Sequence, residues 1–271
     1  MTTTRIIKVV PYDPNWPHQF EQEAAKIAQA FGDNLVTTHH IGSTSVEGLA
    51  AKPIIDMIPV VKDILAVDTC NEAMVAQGYT VKGEYGIPFR RFFSKEGYNV
   101  HVFEQGSTEI LRHLNFTAFL GKHPVYLKAY AELKANAALA HAEDIVAYCN
   151  AKDALIQEID SLAGIQYLRV VKTLLDSEWL AYHRIYEEQV HQKNKALYSP
   201  EAELFSLPEH HHFVLRKGNE IIGILHLEFI RKKNATIHAL ALDKPHQSKE
   251  NENYLFEFAK KWLRHQGKIL I

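Results

Sequence analysis

A single acid inside an apolar run constrains this chain more than any other feature. Residues 54–61 read Ile-Ile-Asp-Met-Ile-Pro-Val-Val, a length and composition that predict a strand. Apolar residues at odd and even positions alike place that strand inside the protein with both faces covered. An ionised carboxylate there is costly unless a donor or a cation pairs with it. Asp56 therefore needs partners.

The residues before it offer some. Leu35–Ile41 predicts a second strand, which breaks at Gly42-Ser43-Thr44-Ser45, and another turn follows at Gly48. Gly42 allows positive φ or close approach of a ligand to the backbone. Ser43, Thr44 and Ser45 set hydroxyls beside backbone N–H groups, a cradle suited to phosphate oxygens. Lys52, four residues before Asp56, adds positive charge. The same residues also read as a strand–turn–strand corner with ordinary Ser/Thr turn bonding and Asp56 as a cap. On residue types alone the two readings stand level.

Composition excludes several classes. The 271 residues are 46% hydrophobic and 23% charged with a net charge of −2, which suits a soluble globular protein of two domains. It gives no electrostatic case for nucleic acid. Cys70 and Cys149 lack metal spacing and suit a reducing compartment. No apolar stretch approaches the ~20 residues that span a bilayer, and MTTTRIIKVV has no signal-peptide core, so the expected location is cytoplasmic. Sixteen histidines scatter along the chain, with one run at His210–His212.

Taken in order, Ile6–Val10 reads as a strand, and Asp13 as the cap of a helix over Trp16–Phe31 with Phe20, Ala24, Ile27 and Phe31 at helical spacing. After the two central strands come a helix over Leu65–Gln77 and strands at Tyr79–Val81, Phe89–Phe93 and Asn99–Glu104. Helices follow at Glu109–Leu120, from His123-Pro124 to Ala142, and over Asp144–Leu162. Alternation in the last strand puts Asn99, His101 and Phe103 on one face. If that strand neighbours the Asp56 strand, His101 meets Asp56; otherwise it is a histidine bonded within the sheet. Arg90, Arg91 and Lys152 are further contacts for phosphate or carboxylate, or solvated surface.

The pattern Gly42-Ser43-Thr44-Ser45-Val46-x-Gly48-Leu49-x-Ala51-Lys52-Pro53-x-Ile55-Asp56 resembles the signature of the GrpB family, which has the nucleotidyltransferase fold. His101-Val102, Arg112-His113-Leu114, His123-Pro124 and the pair Tyr148 and Lys152 continue the match across Arg5–Ala163. The resemblance implies a nucleotide or another phosphorylated small molecule as ligand, with Asp56 and His101 in catalytic roles. It implies phosphate or substrate contacts at Gly42, Ser43, Thr44, Ser45, Lys52, Arg112, His113 and Lys152, and Asp56 as a ligand to Mg²⁺. One departure is plain. Nucleotidyltransferases set two carboxylates two residues apart to hold metal ions, and here the second position is Ile58.

Beyond residue 164 the pattern changes. A helix capped by Asp176 or Ser177 runs to Val190, and a polar stretch follows from Gln192 to Glu209. Strands at Phe213–Arg216, Ile221–Ile230 and Ala235–Leu242 are joined by turns at Gly218-Asn219 and Lys232–Asn234. A helix at Tyr254–His265 and a strand at Lys268–Ile271 close the order, which resembles the GNAT acetyltransferase core. In that family the strand here ending His238–Leu242 binds pantetheine, and the next loop holds pyrophosphate at a helix N-terminus. The cofactor contacts implied are Leu240, Leu242, Gln247 and Lys249. The loop should read Q/R-x-x-G-x-G/A, yet Glu250 and Glu252 fill both glycine positions. At ~4 Å and an effective dielectric near ~20, each like-charge contact costs on the order of 4 kcal/mol before screening, so acetyl-CoA is disfavoured.

These readings predict an α+β chain: a nucleotidyltransferase-like mixed sheet with flanking helices over 1–164, then a partial GNAT-like antiparallel sheet with helices over 165–271. The sequence stops where that family continues with a helix and two strands, including its usual tyrosine acid. The apolar Ile269, Leu270 and Ile271 at an open edge predict a homodimer. Three functions follow: transfer or binding of a phosphorylated small molecule, acetyl-CoA-dependent N-acyl transfer, or ligand binding and assembly without chemistry.

Overall fold

In the computed structural model, described for residues 6–191 and 199–271, the chain forms two compact units. Apart from Gly86–Pro88, they divide between Ile165 and Gln166. No helix among the described residues is long and apolar enough to cross a membrane.

The first unit contains α1 (Trp16–Phe31), β1 (Leu35–Ile41), β2 (Ile55–Val61), α2 (Asn71–Ala76), β3 (Thr80–Val81), β4 (Arg91–Lys95), β5 (Tyr98–Glu104), α3 (Thr108–Lys122), α4 (Pro124–Ala140) and α5 (Ile145–Leu162). The sheet runs β1-β2-β5-β4-β3. β2 and β5 are parallel and the other pairs antiparallel, so the sheet is mixed. Its two-sided apolar strand, β2, sits in the interior, and every residue of it except Asp56 is buried.

The period of two then decides which face does what. Met57, Val61, Val100 and Val102 join Trp16, Ile27 and Phe31 of α1 in one core. Asp56, Asn99, His101 and Phe103 lie on the other face, where His101 and Phe103 meet the ring of His113 on α3. There α3, α4 and α5 pack through Leu120, Tyr130 and Ile159 around Val46 and Leu49.

Several boundaries differ from expectation for local reasons. Ile6–Val10 is not a strand: Val10 forms a single bridge with Ala51, and the Ile7 N–H donates to Ala142 O at 2.7 Å. Asn15, not Asp13, is the residue before α1; Asp13 Oδ1 instead accepts from the Asn15 N–H at 2.9 Å. The helix expected at Leu65–Gln77 splits into a tight turn at Ala66–Cys70 and α2. β4 begins at Arg91 rather than Phe89, because Phe89 takes φ 63° with its N–H on Glu84 Oε1 at 2.7 Å. Asp144 does cap α5, accepting from Val146 and Ala147.

The second unit contains β6 (Leu168–Lys172), α6 (Asp176–Gln189), β7 (His210–Lys217), β8 (Glu220–Phe229), β9 (Asn234–Leu242), α7 (Lys249–His265) and β10 (Ile269–Leu270), with sheet order β10-β9-β8-β7-β6. Strand β6 went unforeseen. Leu175 rather than Asp176 or Ser177 precedes α6. Helix α7 begins five residues before Tyr254, with the Ser248 hydroxyl accepting from Asn251 N–H. The sheet is mixed rather than antiparallel, because β10 follows α7 and returns parallel to β9. Of the polar stretch 192–209, residues 192–198 lie outside the described residues, and Glu203–Phe205 forms one short turn.

One buried acid supports the core of the first unit. Glu23 of α1, 1% exposed, accepts from Tyr79 Oη at 2.8 Å, from Lys26 and from Lys95. Burial raises its pKa, but these bonds, led by Lys95, outweigh burial and hold the carboxyl below its ordinary value of 4.5. A depressed acid stabilises the fold above its unfolded pKa and loses that contribution as pH falls. Glu23→Gln should cost roughly 3 kcal/mol near neutrality, as breaking a buried pair does. In urea unfolding, the gap to the unaltered protein should narrow below pH 4.5; a gap independent of pH would refute the assignment.

Candidate functional site

Asp56 meets its partners through strand register. It pairs in the ladder with Asn99 of β5 and with Ile41 of β1. Asn99 Nδ2 donates to Asp56 Oδ1 at 2.9 Å, and His101 Nε2 stands 3.5 Å from the same oxygen. Gly42 follows Ile41 at φ 70°, and a Cβ there would come within 2.8 Å of Asp56 Oδ2. The glycine is therefore needed for close approach as well as for its φ. Burial raises the Asp56 pKa, while the adjacent His101, the bond from Asn99 and the charge of Lys52 bring it below the ordinary value. The acid is ionised and 27% exposed.

His101 is not free to act as a base. Arg90, itself 4% exposed, donates from Nη1 to His101 Nδ1 at 2.9 Å. An arginine has no acceptor, so Nδ1 carries the lone pair and the proton sits on Nε2, toward Asp56. Burial lowers the His101 pKa, against the opposing pull of Asp56. Arg90 is fixed in turn by the carbonyls of Glu84 and Tyr85 at 3.1 and 2.6 Å and by the Phe92 ring. His101 thus positions Asp56.

Positive charge gathers on the same face. Lys52 and Lys152 lie over the ring of Tyr148, at 5.1 and 3.9 Å from its centroid. Lys134 of α4 lies over Tyr130 at 4.7 Å, donates to Ala50 O at 2.6 Å, and is only 2% exposed. Burial, then repulsion from Lys152 and Lys52, pulls Lys134 down to about 7. Burial and the charge of Lys52 pull Lys152 down to about 8, with Cys149 and then Asp56 opposing. The sequence reading had Lys52 and Lys152 and missed Lys134. A signal was present: Tyr130-x-x-x-Lys134 and Tyr148-x-x-x-Lys152 share one spacing, which stacks lysine and tyrosine on one helix face.

Beside this cluster an open cavity of about 210 Å³ is lined by Gly42, Ser43, Arg112, His113 and Tyr130 among others. Only one of the three turn hydroxyls belongs to it. Ser45 Oγ donates to Gly42 O at 2.7 Å. Thr44 Oγ1, buried, contacts His40 Nε2 at 3.0 Å and donates to Ile54 O at 3.4 Å. Both hold the turn together, leaving Ser43 on the cavity beside Tyr130. Arg112 lines it too, but its Nε is committed to Asp160 at 2.6 Å. His113 Nε2 is buried with no hydrogen-bond partner, and burial holds the ring neutral at about 3. Glu84 accepts from Phe89 N–H, and Glu47 is exposed. With one carboxylate at hand, the residues do not fit a resident Mg²⁺, which asks for near-octahedral oxygen coordination.

In the second unit, Leu240, Leu242, Gln247 and Lys249 come together along an open groove of about 370 Å³ with Ser248 and Glu252. Glu250 does not line it, so one acid faces the groove rather than two. Both acids sit in the first turn of α7, where they favour the positive helix end. The Asn251 N–H is already taken by Ser248 Oγ, and that of Glu252 by Ser248 O.

Residues 6–161 match the family described as GrpB protein. The chain belongs to the GrpB family. Residues 171–271 match the acetyltransferase (GNAT) family, so a GrpB domain is fused to a GNAT domain. The GrpB domain is similar to the crystal structure of conserved protein GrpB from Enterococcus faecalis, with 40% identity over 58% of this chain and 96% of that one at a TM-score of 0.55. It is also similar to UPF0157 protein YqkA of Bacillus subtilis, 42% identical over 163 residues. That match covers 59% of this chain and 48% of YqkA, so the chain spans about half the length of this relative. A dephospho-CoA kinase of Mycolicibacterium paratuberculosis is 34% identical over 76 residues, 27% of this chain and 19% of the kinase.

The lysines of the GrpB domain carry a pH signature. A lysine with a depressed folded pKa leaves the unfolded chain binding more protons between the two values, so stability rises with pH across that window. For Lys134 the window runs from about 7 to 10.5. Lys134→Met should remove up to about 1.4 kcal/mol per pH unit of that rise, measured by denaturant unfolding at several pH values. An unchanged slope would show that Lys134 titrates normally.

Proposed function

We propose that the GrpB domain binds a small molecule through a phosphate or pyrophosphate group held by Lys52, Lys134 and Lys152. The carrying observation is three ammonium groups crowded into a half-dry space, two of them with pKa values pulled to about 7 and 8. An anion relieves their repulsion and raises both values, so binding takes up protons near neutral pH. The Ser43 hydroxyl and the unpartnered His113 Nε2 supply polar contacts on the neighbouring cavity.

Asp56 is the one ionised acid placed against this cluster, and in this reading it accepts a proton from a ligand hydroxyl during group transfer. His101 and Asn99 orient it. Ile58 at the second carboxylate position favours the simpler alternative, ligand binding without transfer. A Mg²⁺ would reach Asp56 only as a counterion carried by the phosphates. For the GNAT domain we infer a ligand other than acetyl-CoA, because Glu252 and the two committed N–H groups weaken its anion site.

Thermal unfolding with pyrophosphate, ADP or ATP should show a midpoint several degrees higher for at least one of them. The rise should vanish in Lys52→Ala/Lys152→Ala. Asp56→Asn should lose only the increment added by Mg²⁺. No shift with any of these ligands at millimolar concentration would remove the proposal.

The partner proposed for the GNAT domain is a second copy of the chain, joined at β10. Among the described residues that strand pairs with β9 alone, and Ile269 and Ile271 are 61% and 66% exposed, the kind of edge that invites strand pairing. Light scattering should give twice the 30.9 kDa chain mass, and Ile269→Lys should return it to one; a monomeric unaltered protein refutes this interface.

A further inference from the structure

The histidines that scatter in sequence gather on one face of the second sheet. His210 lies opposite Glu228 across β7 and β8, and His212 opposite His226. A bulge between His226 and Leu227 shifts the register with β9 and brings His238 beside them. His238 Nδ1 stands 3.4 Å from Glu228 Oε2. Ligand atoms of His210, Glu228 and His238 all lie within 4.8 Å of one another. The ring centroids of His226 lie 4.9 Å from His210 and 4.5 Å from His238.

An ordinary His–Glu ion pair explains two of these residues but not the set. Tetrahedral zinc with bonds near ~2.0–2.1 Å separates its ligand atoms by about 3.3–3.4 Å, the spacing already present between His238 and Glu228. The outer shell is present as well. His210 Nδ1 is 2.7 Å from His226 Nε2. With His210 as donor, its Nε2 keeps a lone pair for a metal, the way a ligating imidazole is usually oriented by a second group. His226 is fully buried, and its Nδ1 has no hydrogen-bond partner. Glu228 and His238 keep 32% and 38% of their side-chain surface exposed, so solvent or a small ligand reaches the fourth position.

We propose that His210, Glu228 and His238 bind a divalent transition-metal ion of the Zn²⁺ type, with one open coordination position and with His226 orienting His210. Two imidazoles and a carboxylate select such an ion over Mg²⁺ or Ca²⁺. This inference is independent of the phosphate reading of the first domain.

The test uses the full chain, stripped with a chelator and titrated with Zn²⁺ against a chromophoric competitor. The expected result is about one Zn²⁺ per chain at micromolar affinity or tighter, and an unfolding midpoint raised by several degrees. Mg²⁺ should leave that midpoint where it was. Glu228→Gln and His238→Ala should each weaken binding at least tenfold, while His18→Ala, an exposed histidine of the first domain, should change nothing. Co²⁺ added to the unaltered chain gives a second readout should a variant fail to fold: visible bands of a low-symmetry nitrogen–oxygen site. Zn²⁺ affinity unchanged in both variants, or Co²⁺ without such bands, overturns the site.

Discussion

The first domain depends on keeping one negative charge inside a sheet. A carboxylate on an otherwise buried strand cannot remain ionised without donors, and each neighbouring element answers that demand. The parallel strand beside it presents Asn99 and His101. The antiparallel strand turns away at Gly42, whose missing side chain makes room for the acid. Arg90 fixes the proton of His101 on the nitrogen that faces Asp56. Removing the charge would leave glycine turn, asparagine, histidine and arginine without a common purpose.

The lysines answer a different balance. Asp56 offsets one positive charge, yet Lys52, Lys134 and Lys152 all come to this face. Tyr130 and Tyr148 lower the cost of holding them, since an ammonium over an aromatic ring gains cation–π attraction and keeps its alkyl stem packed. The values of Lys134 and Lys152 are nevertheless depressed, by burial first and by repulsion from neighbouring lysines second. Perturbed titratable groups of this kind gather at functional sites, and the anionic ligand proposed above would relieve the repulsion. The second domain is built the other way. There a helix N-terminus that could hold an anion carries its own carboxylates and has the Asn251 amide capped by Ser248, while the concentrated chemistry is a histidine set proposed to suit a cation.

Much of this was legible in order of residues. The two central strands, α1 and the hairpin at Gly218-Asn219 came from local rules that hold wherever the chain lies: period two, period 3.6, turn residues and caps. Gly42 and Asp56 stood out because each breaks such a rule, a glycine between strands and an acid in an apolar run. The face shared by Asn99, His101 and Phe103 followed from alternation alone. The misreadings were also local, as with β4, displaced two residues by the positive φ of Phe89, and β6, unread despite Val170-Val171 within it. The hydroxyls of Thr44 and Ser45 were read as ligand contacts, but a tight turn consumes them first.

The sequence by itself determined most of the strands and helices, and which residues share a face within each. Only the tertiary structure decided what lies across from those faces. Lys134 reads as one more lysine on a helix until α4 packs on α5 and sets it beside Lys152. His210, His226 and His238 come from three strands, and their meeting depends on strand order and on the bulge after His226. Register and packing are set by the whole core at once rather than by neighbours along the chain. Sites assembled from separate elements therefore emerge only once the fold is formed.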